Sequence, residues 1–415
     1  MFGAQGADGQ AGAGAGAAGG AGAAGGSPKP RRPRWQVIAL AVAIVVVLGG
    51  GGGVAWALAS GHTPSASASA STQLTHSNGT PAPPLHVLSV TPSTGSTGVN
   101  GGNPIDVTFS APLAAGSAMP TLSPDISGSW APAKKGSATM VFTPASGFTQ
   151  DTKVTVTVPA GAESAAGGTL ATASTSTFKT GYYSTLRLQE VLAQLGYLPF
   201  TWTATGTAPA SSDANAQVIA AYDAPQGTFT WNSGYPRILM DKWAQGQSNI
   251  LDVGAIRAFE SVKGLTMDGV AGHTVWRDLL TAVANGSNNP NGYTYAVASK
   301  VLPESLTIWH DGHVVLRTPA NTGIPVAPTA DGTFPVYLKL PYQVMKGTNP
   351  DGSKYADPVV NVSYFDAGDA VHYFDRGSYG WQQSLGCVEL PMAASATAYK
   401  YLSYGSLVTV TEGRP

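Results

Sequence analysis

Apolar and polar positions change rhythm several times along the chain. Val37 to Leu48 is a continuous apolar run; it resumes at Val54 after five glycines, and no charge interrupts residues 35–59. Such a stretch is long enough to cross a ~30 Å hydrocarbon core as a helix. From residue 85 the rhythm becomes alternating. Val87–Val90, Ile105–Phe109, Thr139–Phe142 and Val154–Val158 are short β-type runs between Gly, Pro and Asn turns, the pattern of a β-sandwich over 85–180. Beyond it, Leu186, Leu188, Val191, Leu192 and Leu195 recur at helical spacing and stop at Gly196. Further apolar helical segments, Ala255–Glu260 and Val275–Leu280, extend this region over 182–284, around a Trp-, Tyr- and Pro-rich insertion near 198–250. Alternation returns at 293–411. There Leu306–Leu316 reads as a hairpin through an Asp311-Gly312 turn, which makes His310 and His313 the flanks of that turn.

Composition refines this outline. Residues 1–34 are dominated by Ala and Gly and are too poor in bulky side chains to bury a core, so they read as a low-complexity cytoplasmic tail. Lys29, Arg31, Arg32 and Arg34 precede the apolar span and no basic residue follows it closely, which places the N-terminus inside. We read 35–59 as a retained single-pass anchor; a cleaved signal ending near Ala55-Trp56-Ala57 is the alternative, and either one exports everything downstream. Residues 60–84, rich in Ser, Ala and Pro, read as a flexible linker. A net charge of −1 with only 11% charged residues gives no electrostatic footprint for nucleic acid. With no paired cysteines, no His-Glu-x-x-His and no credible phosphate loop, neither a metal nor a cofactor is expected. Ser176-x-x-Lys179 and Lys179-Thr180-Gly181 mimic two motifs of penicillin-binding enzymes, but they share one lysine on one expected strand, whereas that chemistry needs separate elements that meet in space.

The candidate chemistry lies near the C-terminus. Cys387 is the only cysteine of an exported chain, and it follows His372 by fifteen residues. A lone thiol is most often a small buried hydrophobe, but its thiolate is also the strongest nucleophile among ordinary side chains. His372 supplies an imidazole able to take the thiol proton near neutral pH. Gly386 admits close approach of a substrate carbonyl, and the N–H groups of Leu385, Gly386 and Cys387 are candidate oxyanion donors, with Ser384 lining the site.

Val371-His372-Tyr373, a Gly- and Ser-containing loop, and then Ser384-Leu385-Gly386-Cys387-Val388 resemble the active-site signature of the L,D-transpeptidase (YkuD) family. Asn321-Thr322-Gly323 and Pro328–Phe334 resemble the landmarks at the start of that domain. The chain departs from the pattern at Leu385, where the family usually has a second His, and at Glu389, where it usually has Arg or Asn; Glu389 is read as a solvated charge. Residues 85–180 resemble the Ig-like domains, and 182–284 the helical peptidoglycan-binding domain, of actinobacterial members. The expected fold is therefore multidomain: an anchor helix, an Ig-like β-sandwich, a small helical peptidoglycan-binding-like domain and a mainly-β catalytic domain.

The resemblance implies peptidoglycan stem peptides and glycan as partners, a thioester acyl-enzyme on Cys387, 3→3 cross-links, and covalent inhibition by carbapenem-type β-lactams. It further implies that Met345–Pro358 covers the site, with Tyr355 and Gly368 as substrate contacts. The catalytic domain is expected outside the cell membrane, in the wall. A carboxypeptidase using the same residues, or a catalytically weak wall-binding protein, are the alternatives.

Overall fold

The computed structural model describes residues 81–415; the expected anchor at 35–59, the tail before it and most of the linker lie outside the described residues. Among the described residues no helix is long and apolar enough to cross a membrane.

Seven strands come first: β1 (Val87–Thr91), β2 (Ile105–Phe109), β3 (Thr121–Ser123), β4 (Gly128–Pro132), β5 (Thr139–Pro144), β6 (Lys153–Val158) and β7 (Ser174–Lys179). They form two sheets, β1-β2-β5-β4 and β3-β6-β7. Alternation decides which faces meet. Ile105, Val107 and Phe109 of β2 and Val154, Val156 and Val158 of β6 are buried in one core, and the residues between them are part-exposed. Ser176 and Lys179 lie together on β7, where Lys179 pairs with Asp151 at 2.6 Å.

The next region is not purely helical. It runs α1 (Thr185–Gln194), β8 (Phe200–Ala204), α2 (Ala214–Tyr222), β9 (Gly227–Trp231), α3 (Arg237–Met240), α4 (Ile250–Lys263) and α5 (His273–Asn285). The Trp-rich insertion is thus a β8–β9 hairpin with two helices, and Phe200, Phe229, Trp231 and Trp243 pack ring against ring within it. Ser184 caps α1, and an Asn249/Asp252 capping box opens α4.

The C-terminal part contains β10 (Thr294–Ser299), β11 (Ser305–His310), β12 (His313–Pro319), β13 (Gly332–Pro335), β14 (Leu338–Thr348), β15 (Lys354–Asp366), β16 (Asp369–Tyr373), β17 (Val388–Leu390), α6 (Met392–Tyr401) and β18 (Leu407–Thr411). A five-stranded sheet, β12-β11-β10-β18-β13, faces a four-stranded sheet, β14-β15-β16-β17. Ala296, Ile308 and Val408 from the first sheet share a core with Phe365, Val371, Val388 and Leu390 from the second.

Strand β10 is buried along its whole length. Ala296 and Ala298 face the second sheet, whereas Tyr295 and Val297, on the opposite face by the two-residue period, join Trp309 and Leu407 in the same cluster as Leu192, Phe259 and Trp276. The region 182–292 is therefore the outer cover of the five-stranded sheet and shares its core. The β11–β12 turn locks against it. Asp311 and Gly312 have φ values of 46° and 78°, and they meet the 233–234 turn (Gly234 φ 90°) so closely that a side chain on Gly234 would run into the Gly312 carbonyl and one on Gly312 into the Ser233 carbonyl.

This shared core generates a prediction. A chain beginning at Tyr293 would expose Tyr295, Val297, Trp309 and Leu407. At ~1.5–3 kcal/mol for each large apolar side chain, the loss is on the order of 10 kcal/mol, comparable to the whole stability of a typical domain. Thermal melts should show the 293–415 fragment unfolded or aggregated and the 182–415 fragment folded. A 293–415 fragment melting at the temperature of the longer one would mean that the cover contributes nothing.

Candidate active site

Strands β16 and β17 are parallel neighbours, with Val371 opposite Val388 and His372 opposite Glu389. The two-residue period then puts His372, Cys387 and Glu389 on one side of the sheet. That side opens into a cavity of about 740 Å³, whose wall includes Cys387, His372, Leu385, Ser384, Gly368 and Tyr355. The sequence-nominated residues are brought together there, with Gly386 in the loop behind them. Tyr355 stands on β15 opposite Gly347, in a continuous β14–β15 ladder whose tip is the segment Asn349–Ser353. Gly368, in the turn before β16, presents its carbonyl to the Cys387 thiol, with Sγ at 3.8 Å.

His372 is 2% exposed, and its Nδ1 lies 2.8 Å from the carbonyl oxygen of Tyr373. A carbonyl only accepts, so Nδ1 carries the proton and Nε2 is left as the basic nitrogen. The orienting partner is a main-chain atom, which is why no residue type in the sequence marked it.

The thiol loop is built by Ser384. Its Oγ donates to the Cys387 carbonyl and accepts from the Gly386 N–H at 3.2 Å. Gly386 was expected among the free oxyanion donors, but its N–H is already engaged in this turn; among the described residues the N–H groups of Leu385 and Cys387 have no protein acceptor. Gly386 has φ 120°, and a Cβ there would strike the Asp369 carboxylate. Upstream, Gln383 and Ser384 donate their N–H groups to the Thr322 carbonyl at 2.9 and 3.0 Å. Thr322 in turn donates through N and Oγ1 to Glu304 at 2.7 and 2.9 Å. Glu304 is 1% exposed, so a buried carboxylate that sequence reading passed over anchors the β12–β13 connection against which the loop is held.

Glu389 is not the solvated charge expected. It is 4% exposed and accepts from Arg376 Nε at 2.8 Å and Nη2 at 2.7 Å. The reason is register: opposite His372 in a parallel pair, position 389 must face inward. A three-residue strand is too short for its alternation to have shown this.

The electrostatics keep the resting site uncharged at the nucleophile. Burial, with smaller contributions from the Asp369 and Glu389 carboxylates, pushes the Cys387 thiol up to about 12 against the opposing N–H of Ala370. Burial also lowers the His372 imidazole below its ordinary 6.5. Asp369 is itself raised to about 6, chiefly by burial. Among the described residues no group of three or more His, Cys, Asp or Glu side chains could hold a metal ion.

Residues 294–410 match the model of the L,D-transpeptidase catalytic domain, and residues 81–180 that of a bacterial Ig-like domain. Among solved structures, an L,D-transpeptidase from Mycobacterium smegmatis is 17% identical, with 79% of this chain and 100% of that one covered and a TM-score of 0.27. L,D-transpeptidase 3 from Mycobacterium tuberculosis is 15% identical, with 79% and 98% covered and a TM-score of 0.27. The catalytic domain of an L,D-transpeptidase from E. faecium is 30% identical, with 28% of this chain and 96% of that one covered and a TM-score of 0.27. No curated protein matches the chain. Behind a bacterial Ig-like domain, then, the strands that bring Cys387 and His372 together belong to a catalytic domain of the L,D-transpeptidase family.

Proposed function

We propose that this protein cross-links peptidoglycan stems through a thioester on Cys387. The observation that carries this reading is the placement of His372 on β16 and of Cys387 directly before its parallel neighbour β17, on one side of the sheet and opening into one cavity, with the imidazole tautomer fixed. Cys387 Sγ attacks the carbonyl of the third residue of a tetrapeptide stem while His372 Nε2 takes the thiol proton. The C–N bond to the terminal D-alanine breaks, the proton passes from His372 to the departing amine, and an S–C thioester remains. The side-chain amine of a neighbouring stem then attacks this carbonyl, the S–C bond breaks, and a proton returns through His372 to the thiolate. The product is a 3→3 cross-link. The free N–H groups of Leu385 and Cys387 are suited to hold the oxyanion in both steps.

The Ig-like domain and the 35–59 span fit a protein that stands outside the membrane, with its catalytic domain in the wall. The 182–284 region has a structural task in this reading, as the cover of the catalytic sheet, whether or not it also binds wall glycan.

Because the resting pair is neutral, proton transfer accompanies attack instead of preceding it. Iodoacetamide alkylation of Cys387 should therefore climb steadily between about pH 6 and 9 with no thiolate plateau. The acid limb of stem turnover should fall below 6.5, since His372 must be neutral to act as base and burial lowers its pKa. A flat alkylation profile through neutrality would indicate a preformed thiolate–imidazolium pair.

Ertapenem, which acylates the E. faecium catalytic domain, is the direct probe. Intact mass should show one adduct on the wild-type protein and none on Cys387→Ser. With stem tetrapeptides, released D-alanine should be matched by peptide dimer; release without dimer would make the enzyme a carboxypeptidase. An adduct persisting in Cys387→Ser would remove the nucleophile from this account.

Ser384→Ala leaves Gly386 N–H and the Cys387 carbonyl without their shared partner. Ertapenem acylation should slow by roughly tenfold or more, ~1.4 kcal/mol of barrier, with the fold retained by circular dichroism. An unchanged rate would show that the turn holds its shape without the hydroxyl.

A further inference from the structure

We propose that Arg376 recognises a carboxylate of the donor peptide and that Glu389 serves to hold it in place; this rests on the stem-peptide reading of the cavity. The chain runs on past β16, and His372, Phe374 and Arg376 follow one another at the two-residue spacing. The His372 and Phe374 rings meet edge to face with centroids 6.4 Å apart, and the guanidinium lies 4.5 Å over the Phe374 ring. All three residues line the cavity that holds Cys387.

The donor inventory of Arg376 is specific. Nε and one Nη2 hydrogen go to the two oxygens of Glu389, and the other Nη2 hydrogen goes to the Gln383 carbonyl at 3.0 Å. That leaves both hydrogens of Nη1 without a protein acceptor among the described residues, on a side chain that is 29% exposed. The guanidinium is thus held on one edge and offers its other edge to the cavity, pre-oriented for an anion.

Two further observations turn this into recognition. First, an apolar residue at 389 would fill the wall at less desolvation cost, since a buried ion pair seldom stabilises more than a well-packed apolar replacement. The pair therefore calls for a reason beyond stability. Second, the cavity wall also carries the carboxylates of Asp351, Asp357 and Asp369, which repel an anionic peptide. Among the described residues Lys346 is the only other Lys or Arg on the wall, and it is exposed on the β14–β15 hairpin, so Arg376 is the fixed positive charge placed there to receive a carboxylate.

The test uses donor tetrapeptides in which each carboxylate in turn is free or amidated. Dissociation constants are measured on full-length protein in a Cys387→Ser background, and D-alanine release is measured on the protein with Cys387 intact. At one position the free carboxylate should bind at least tenfold more tightly than the amide. In Arg376→Gln/Glu389→Gln, which removes both charges together, that ratio should collapse toward one. Arg376→Lys, which keeps the charge but loses the fork, should fall between. A ratio unchanged in a double variant that melts like the parent would overturn the proposal, as would a parent indifferent to every amidation. Binding discrimination without any D-alanine release would instead sink the transpeptidase reading while leaving Arg376 its role.

Discussion

The parallel pairing of β16 with β17 is the constraint on which the site depends. Parallel neighbours cannot be joined by a tight turn; they need a crossover of about a dozen residues or more. Here the crossover is 374–387, and it begins just after His372 and ends on Cys387. The fifteen-residue separation in the sequence is thus the length of chain needed to leave one strand and re-enter beside it in the same direction. Three rungs of pairing then set which side chains share a face, and a slip of one residue would turn the thiol away from the imidazole.

A crossover of that length would wander unless tied down, and nearly every tie is polar and buried. Asn321 pairs with Glu389 through two main-chain bonds, Thr322 receives the N–H groups of Gln383 and Ser384, and Glu304 holds Thr322 from behind. Main-chain groups of a crossover cannot be satisfied by their own neighbours as in a helix, so partners must come from elsewhere in the fold. Glu304 is matched by a main-chain and a hydroxyl donor, and Glu389 by a guanidinium, whereas Asp369, raised to about 6, sits where only glycine at 386 leaves it room.

The sheet that supports this arrangement is stabilised from its far side. Because β10 is buried on both faces, neither the second sheet nor the 182–292 region is dispensable to it. The Ig-like domain is in turn joined to that region by side-chain to main-chain bonds, among them Tyr222 to the Phe148 carbonyl at 2.9 Å and Asn215 to the Gly102 carbonyl at 3.1 Å. Position along the chain gave the impression of beads on a string, but the packing makes the middle region part of the catalytic sheet's core.

Local periodicity was enough to read β2, β6, α1 and the Asp311-Gly312 turn, because each is long enough, or has distinctive enough turn residues, to declare its own geometry. The lone thiol, its preceding glycine and the upstream histidine were likewise legible, since their chemistry belongs to residue type. What remained hidden depends on residues far apart in sequence or on atoms every residue possesses. The Tyr373 carbonyl that fixes the imidazole carries no letter of its own. Glu304 matters only through Thr322, and Asp369 only through its closeness to Gly386. Glu389 reads as a surface charge until the parallel register turns it inward onto Arg376. The sequence by itself determined which groups could do chemistry; the tertiary structure decided which face them, because long-range pairing, and not local propensity, sets side-chain direction in short strands.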